Sequence, residues 1–495
     1  MNKERKRTRP VEVTRLPHRI EPDASRVIPR FFGADDAKTR RRIARVLTLD
    51  RDEVSRLLGY LKHDYEDQHT DIEDVWRKHF ARVESFLPDN LDVGNDLDEN
   101  HKLLIGAYFT MEYSIESAAL FNPSMAAARD QSGLPQGSTR FIMSLRATGE
   151  GHVSSIVFRR GVVDKNNNII VESNTPVSRP LETVPDPNFE TAHFRQTLID
   201  IGAFTTQQDR VLDRLGDEFT TYQLEVELER ERASATSPSA FEECAENMLT
   251  LARSNYKYVI PDDVFPSEIV IFPSSENESR GIEDVRLVRF EEDDGSVVMY
   301  GTYTAYNGFA IFPTLLESDD LNTVEIHTMA GRYARNKGMA LFPRKIGGKY
   351  AMSGRLDGEN LYILESDNVR VWNEGRLAQT PKYWWEYSII GNCGSPMETE
   401  DGWLLLTHGV GPMRQYCIGA ALLDLDQPWK VIGQTREPLI MPTGEERIGY
   451  VPNVVYSCGG MIHGDKLIIP YAASDTLTTF ASVTLPELLA VLKKG

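Results

Sequence analysis

Apolar positions along the 495-residue chain change period near residue 120. Before that point they recur at helical spacing. Val54, Leu57, Leu58 and Leu61 form one stripe, started by Asp50 with Glu53 three residues on. Ile72, Val75, Trp76, Phe80 and Val83 form a second, closed by Pro88. A third helical stretch is expected from about Lys102 towards Glu116. Ahead of these, residues 1–34 carry Pro10, Pro17, Pro22 and Pro29 and read as an extended basic arm. From Phe121 the pattern turns to short apolar or β-branched runs between Gly- and Asn-rich turns, at 141–145, 153–158 and 168–172, which predict strands. Helical spacing returns between about 205 and 255, with Val211, Leu212, Leu215 and Phe219 before the Ser/Ala/Pro linker 234–239 and Phe241, Met248, Leu249 and Leu251 after it. Strands resume at Ile269 and run nearly to a short closing helix at 486–493.

One unit recurs within the strand region. Gly295, Gly348, Gly402 and Gly464 each precede a short apolar run, and each run ends in polar groups: Thr302 and Tyr303; Ser353 and Arg355; Thr407 and His408; Ser474 and Asp475. The spacing of about 50–60 residues suits radial or stacked β repeats, in which distant polar strand ends converge on one axis. A β-sandwich with ordinary polar strand ends satisfies the same pattern. The expected layout is a basic arm and helical extension over 1–115, a strand domain over 116–485 holding the 205–255 insertion, and a C-terminal helix over 486–495.

Composition narrows the function. The net charge of -19 repels nucleic acid and anionic membrane, so an anionic substrate needs a local basic pocket. No apolar run is long enough to span a bilayer, and the basic start lacks the apolar core of a signal peptide. Four widely spaced cysteines without CxxC, and ten histidines without HExxH, point to a reducing, cytoplasmic setting with no metal and no cofactor.

The densest chemistry lies at 280–286, RGIEDVR, where two carboxylates and two arginines precede the apolar run 287–290. Arginines can hold one acid while its neighbour is left for proton transfer; a salt-bridged strand end is the alternative. The aromatics Tyr303, Tyr306, Trp384, Trp385 and Tyr387 offer ring faces for a sugar, or for packing.

Taken in order, FNPS at 121–124, GIEDVR at 281–286, ALFP at 340–343, GWLLLTHGV at 402–410, GAALLDL at 419–425, VPNVV at 451–455 and YAASDT at 471–476 resemble glycoside hydrolase family 130, the β-mannoside phosphorylases and β-mannosidases. The resemblance runs from about Phe121 to Ser482 and implies a mainly-β, five-bladed β-propeller, here with an N-terminal helical extension and a helical insertion. It implies inverting chemistry on β-mannosides. Asp284 is then the acid, passing its proton through a hydroxyl of the bound mannose. Asn122, Ser124, Glu283, Arg286, Tyr303 and Asp475 fall at substrate-binding positions. Arg146, Arg335, Asn336, His408 and Tyr416 match the site for inorganic phosphate, the co-substrate of a phosphorylase. The sequence departs from phosphorylases at Ile389, where they carry a Lys nineteen residues before the matching His; Lys337 stands nearby in sequence to Asn336 as a substitute cation.

The expected activity is phosphorolysis giving α-mannose 1-phosphate. The rival enzyme is an inverting β-mannosidase that activates water with one of Glu386, Glu398, Glu445 or Glu446, and the non-enzymatic rival is a carbohydrate-binding propeller. The expected partners are a β-mannoside oligosaccharide and phosphate, with a homo-oligomer allowed and neither nucleic acid nor membrane.

Overall fold

The computed structural model describes residues 11–88, 97–175, 177–185, 188–200, 203–233, 238–318 and 322–494. The basic segment 1–10 and most of the linker 234–239 lie outside these residues.

Five antiparallel-dominated sheets of four to six strands follow one another along the chain. The first is built on Ala119–Ala127, Thr139–Thr148 and Ser154–Val163, and the second on Ile282–Glu291, Val297–Tyr306, Ile311–Ser318 and Thr323–Thr328. The third comprises Ala340–Leu341, Tyr350–Gly354, Leu361–Ser366 and Glu374–Gln379. The fourth is built on Ile389–Asn392, Gly402–Gly411, Gln415–Leu423 and Val431–Gln434. The fifth contains Val455–Tyr456, Lys466–Ala473 and Leu477–Thr484, and is completed from the other end of the chain by Val13–Ile20, with Val13 opposite Val483 and Ile20 opposite Thr478.

Each sheet buries both faces, which explains why its strands are apolar in continuous runs and not alternately. Trp403 and Leu405 pack with Phe342 and Ile363 of the third sheet, whereas Leu404 and Leu406 point the other way, onto Leu467 and Ile469 of the fifth. Val285 and Leu287 face Ile156 and Phe158 of the first sheet, while Val288 and Phe290 face Leu341 and Met352 of the third. The circuit closes where Leu120, Met143 and Leu145 of the first sheet meet Ile468 and Phe480 of the fifth. The leading edges of all five sheets line a cavity of about 330 Å³ that includes Met125, Leu287, Pro343, Pro396 and Gly460.

The glycine-led repeats are the second strands of their sheets (Val297–Tyr306, Tyr350–Gly354, Gly402–Gly411, Lys466–Ala473) and not the strands at the axis. The arm is also corrected. Val13–Ile20 and Val27–Phe31 are paired strands, the latter on Thr110–Ser114. Helices Asp36–Val46, Arg51–Tyr65, Ile72–Ala81 and Glu99–Tyr108 share a core of Ile43, Val54, Leu58, Trp76, Phe80 and Leu104. Asp50 caps the second of these with the capping box its sequence announces. The insertion starts earlier than its spacing suggested: helix Thr191–Asp200 precedes Thr206–Leu212, Thr221–Arg232 and Pro238–Arg253 around Phe194, Leu212, Leu224 and Met248. No helix among the described residues is long and apolar enough to cross a membrane.

Candidate active site

The leading strands of the first two sheets are broken in the same way. Register shifts between Phe121 and Ser124 and between Glu283 and Arg286 mark bulges. Inside them Asn122 and Asp284 take left-handed backbone conformations, with φ of 49° and 60°. A bulge re-aims a side chain that a regular strand would send into a sheet face, and Asn and Asp tolerate this conformation better than most residues. The two side chains meet: Asn122 Nδ2 donates to Asp284 Oδ1 at 2.7 Å. Asn336 and Asn453, from segments joining the later sheets, and Asp475, from a turn within the fifth, are also left-handed. Backbone strain of this kind concentrates at functional sites.

Arginines surround the acid pair. Arg146 reaches from the first sheet to Glu283 Oε1 at 3.1 Å and to Asp284 Oδ1 at 3.5 Å, and its Nε donates to Ser154 Oγ at 2.9 Å. Lys337 Nζ donates to Glu283 Oε2 at 2.5 Å. Arg286 turns inwards, donating to the Asp284 backbone oxygen at 2.8 Å, Tyr456 Oη at 2.8 Å and Asn392 Oδ1 at 3.2 Å. Burial alone would lift the Asp284 carboxyl, but Arg146, Arg286, the Asn122 hydrogen bond and Lys337 outweigh it and hold the group below the usual carboxylate range. Asp475 has the opposite balance. Burial and the charge of Asp284 push it up to about 7, against the pull of Arg146 and Arg414. The two carboxyls thus share one electrostatic field and are driven apart in acidity.

His408 lies deeper. Its Nδ1 is 3.0 Å from the Asn392 carbonyl and its Nε2 is 3.2 Å from Arg355 Nη1. A guanidinium can only donate, so Nε2 accepts and the proton sits on Nδ1, where it is donated to Asn392. Burial, then the charge of Arg355, pushes the ring down to about 3, which keeps it neutral. Tyr416 stacks parallel to the imidazole at 6.1 Å and Tyr456 meets it edge-on at 5.0 Å. His408 therefore stands behind Arg355 and aims it. Arg355 Nε is buried with no hydrogen-bond partner.

The structure brings together Asn122, Arg146, Glu283, Asp284, Arg286, His408, Tyr416 and Asp475. Asn336 sits one residue from Lys337 and accepts from its backbone N–H at 2.9 Å. Arg335 is on the same loop, exposed, its guanidinium turned back onto the Arg332 carbonyl. Two expected substrate contacts are corrected. Ser124 is fully buried, and its Oγ accepts from Leu287 N–H at 2.9 Å, tying the first sheet to the second below the site. Tyr303 points into the core and donates to the buried Glu278 at 2.8 Å, so it braces the loop leading to Asp284. Of the aromatic candidates, Trp385 is fully buried against Gly409 and Gly419, Tyr306 bonds its own turn at Gly308, Trp384 donates to Glu437, and Tyr387 is exposed.

Of the four glutamates offered as a base, three are engaged elsewhere and one is exposed. Glu386 is fully buried under Lys382, Tyr383 and Gln434; Glu398 pairs with Arg344; Glu446 pairs with Arg15; and Glu445 lies beside Arg19. Sequence reasoning missed Arg355, Tyr456 and Asn392 as members of the site. Arg355 carried a signal, since it ends the second repeat as His408 and Asp475 end later ones. Among the described residues no group of three or more His, Cys, Asp or Glu is arranged to hold a metal ion.

Residues 253–494 match a family model described as β-1,4-mannooligosaccharide phosphorylase. The chain is 33% identical over 223 residues to a 1,2-β-oligomannan phosphorylase of Thermoanaerobacter sp., covering 44% of this chain and 73% of that one. It is 37% identical over 206 residues to a β-1,2-mannobiose phosphorylase of the same organism, covering 40% and 65%. It is 34% identical over 170 residues to a β-1,4-mannooligosaccharide phosphorylase of Ruminococcus albus, covering 32% and 51%. A solved β-1,2-mannobiose phosphorylase from Listeria innocua superposes with a TM-score of 0.45 at 20% identity, over 77% of this chain and 94% of that one. The chain belongs to glycoside hydrolase family 130. The family-model match contains Asp284, Arg355, His408 and Asp475, while Asn122 and Arg146 precede it.

Proposed function

We propose that this chain is an inverting β-mannoside phosphorylase, built as a five-bladed β-propeller whose blades are the five sheets of the closed circuit. The observation that carries the reading is the charge of the site. Arg146, Arg286, Lys337 and Arg355 are four cations around two carboxylates, Glu283 and Asp284, with Asp475 half-neutral at neutral pH. A surplus of between one and two positive charges in a chain of net charge -19 suits a phosphate dianion. Water needs no such surplus; it needs a free carboxylate base, and of the four glutamates considered for that role Glu386, Glu398 and Glu446 are held by other partners while Glu445 is exposed to solvent beside Arg19. Arg355 supplies the cation that Ile389 lacks.

In this reading mannose lies between Asn122, Asp284 and Asp475, and phosphate lies towards Arg355, Arg146 and Lys337. A phosphate oxygen attacks the anomeric carbon from the face opposite the leaving group. The bond to the glycosidic oxygen breaks, and that oxygen takes the Asp284 proton through a mannose hydroxyl. The products are α-mannose 1-phosphate and the shortened acceptor. Asp284 is ionised before substrates bind, because cations surround it. Phosphate placed among those cations cancels their field and raises the carboxyl's proton affinity, so Asp284 takes up a proton as phosphate binds, from solvent or from the dihydrogen form of phosphate, and holds it for the leaving oxygen. A cytoplasmic setting is supported by four buried cysteines that are widely spaced and form no CxxC.

The test is a screen of β-1,2-, β-1,3- and β-1,4-mannobiose with and without inorganic phosphate. Turnover of one isomer that requires phosphate is expected. Free mannose released equally fast without phosphate would make the chain a mannosidase, and binding without turnover would make it a carbohydrate-binding propeller.

A further inference from the structure

The loop 441–453 and the turn 474–476 are laced together beside the site. Ser474 Oγ donates to the Glu446 carbonyl at 2.6 Å, Val451 N–H donates to the Ser474 carbonyl at 2.9 Å, and Tyr450 N–H donates to Thr476 Oγ1 at 2.9 Å. Ser474 and Asp475 are both left-handed, with φ of 48° and 51°. Two successive non-glycine residues in that region persist only where their surroundings hold them. The holding point is Glu446. Its side chain takes Arg15 Nε and Nη2, each at 2.8 Å, and Tyr471 Oη at 2.6 Å, and it accepts from Thr443 N–H at 3.0 Å. Arg15 Nη2 also donates to the Met441 carbonyl at 2.9 Å. The bidentate pair is partly buried, with side-chain exposures of 28% and 14%. Paired guanidinium and carboxylate planes fix direction as well as distance.

Arg15 comes from the strand Val13–Ile20, more than 400 residues from Glu446 in sequence and outside the 253–494 segment that matches the family model. Pairing with Leu477–Thr484 secures the strand without Arg15's side chain, by backbone hydrogen bonds, the Thr479 hydroxyl on the His18 carbonyl and the packing of Leu16 and Ile20, with Arg15 opposite Ala481. The side chain's reach to the loop is a separate feature, and it ends two bonded contacts from Asp475.

We propose that Arg15 is a positioning residue: through Glu446 it holds the turn that aims Asp475 into the site, so the N-terminal strand sets mannoside affinity as well as closing the last sheet. This rests on the reading of Asp475 as a mannose contact. Arg15, Glu446 and Ser474 make no contact with Arg355, Arg146 or Lys337, the cations assigned to phosphate; only the charge of Asp475 is felt there, at Arg146.

The test compares the full chain with Arg15→Ala, Arg15→Lys and Glu446→Gln. Amide hydrogen exchange is followed at Val451 and Ser474, with the buried strand Gly402–Gly411 as internal reference. Loss of a charge-assisted contact of this kind predicts exchange about tenfold faster at the two amides in Arg15→Ala, with the reference unchanged. In kinetics the KM for the mannoside rises about tenfold and the KM for phosphate stays within about twofold, with Arg15→Lys intermediate. If Arg15→Ala does not fold, Glu446→Gln weakens the same pair while leaving the carbonyl under Ser474. Unchanged exchange at Val451 and Ser474 overturns the proposal, and so does an equal rise in both KM values. A wild-type chain inert towards every mannoside would sink the phosphorylase reading instead, and the exchange data would still decide whether Arg15 holds the turn.

Discussion

Replacing Arg355 by Met removes one positive charge from the phosphate side and keeps most of the side chain's volume. In the wild type the guanidinium has one hydrogen bond within the protein, to the neutral His408 at 3.2 Å, and its buried Nε has no partner. Arg146 and Lys337 are each committed to a carboxylate, and Arg286 to Tyr456, Asn392 and the Asp284 backbone. Arg355 is therefore the cation best placed to give its hydrogen bonds to an incoming anion. Hydrogen bonds to charged groups are worth about 1.5–3 kcal/mol each, and about 1.4 kcal/mol is a factor of ten, so the KM for phosphate should rise between about tenfold and about 150-fold. The KM for the mannoside should stay within about twofold, because no mannose contact is altered. His408 Nε2 loses its donor and is left buried, which costs about 1–3 kcal/mol of stability and appears as a lower Tm. The assay is initial rate against phosphate at saturating mannoside, with thermal melting alongside. A phosphate KM unchanged in Arg355→Met, in a folded protein, would refute the assignment of Arg355 and with it the charge argument.

Three further outcomes follow from the same geometry. Asp284→Asn should lower kcat by about 10²–10⁴, the usual range for a lost general acid, while mannoside binding measured by calorimetry persists; unchanged turnover would remove Asp284 from the chemistry. Asp475 is raised to about 7 in the folded chain, against about 4 unfolded, so the folded state binds the extra proton between these values and stability falls as pH climbs through that window. Asp475→Asn removes this loss, so its Tm relative to wild type should be higher at pH 8 than at pH 4; a pH-independent difference would contradict the burial and charge argument. Ser124→Ala leaves the buried Leu287 N–H without its acceptor and should cost about 1–3 kcal/mol in denaturant unfolding, and a neutral result would show that the link between the first two sheets is dispensable.

The strand region was legible because each sheet is buried on both faces and its strands are written as apolar runs after glycine turns. The run 403–406 shows this directly, since its two parities face different neighbouring sheets. The N-terminal strand was not legible: its pairing partner lies more than 450 residues away, and Pro17 within it argued against a strand. The helix Thr191–Asp200 was within reach, since Phe194 and Leu198 are helically spaced, but the polar residues between them weakened the signal. At the site, the motifs located a neighbourhood and left side-chain directions open. Asn122 and Ser124 are two residues apart in one motif, yet the bulge sends the first to Asp284 and the second into the core. Tyr303 could not be told from a site tyrosine until Glu278 was seen to accept its hydroxyl. Arg355 gains its meaning from His408, 53 residues on, a relation that only the packing of the third sheet against the fourth creates.

In the proposed phosphorolysis phosphate, and not water, attacks the mannosyl carbon. Phosphorus-31 and proton NMR of one reaction, with the responsive mannoside and a slight excess of inorganic phosphate, tests it most directly. Phosphate is expected to disappear in step with the mannoside and α-mannose 1-phosphate to appear in equal amount, with no free mannose at early times. Free mannose accumulating while the inorganic phosphate signal stays constant would contradict it.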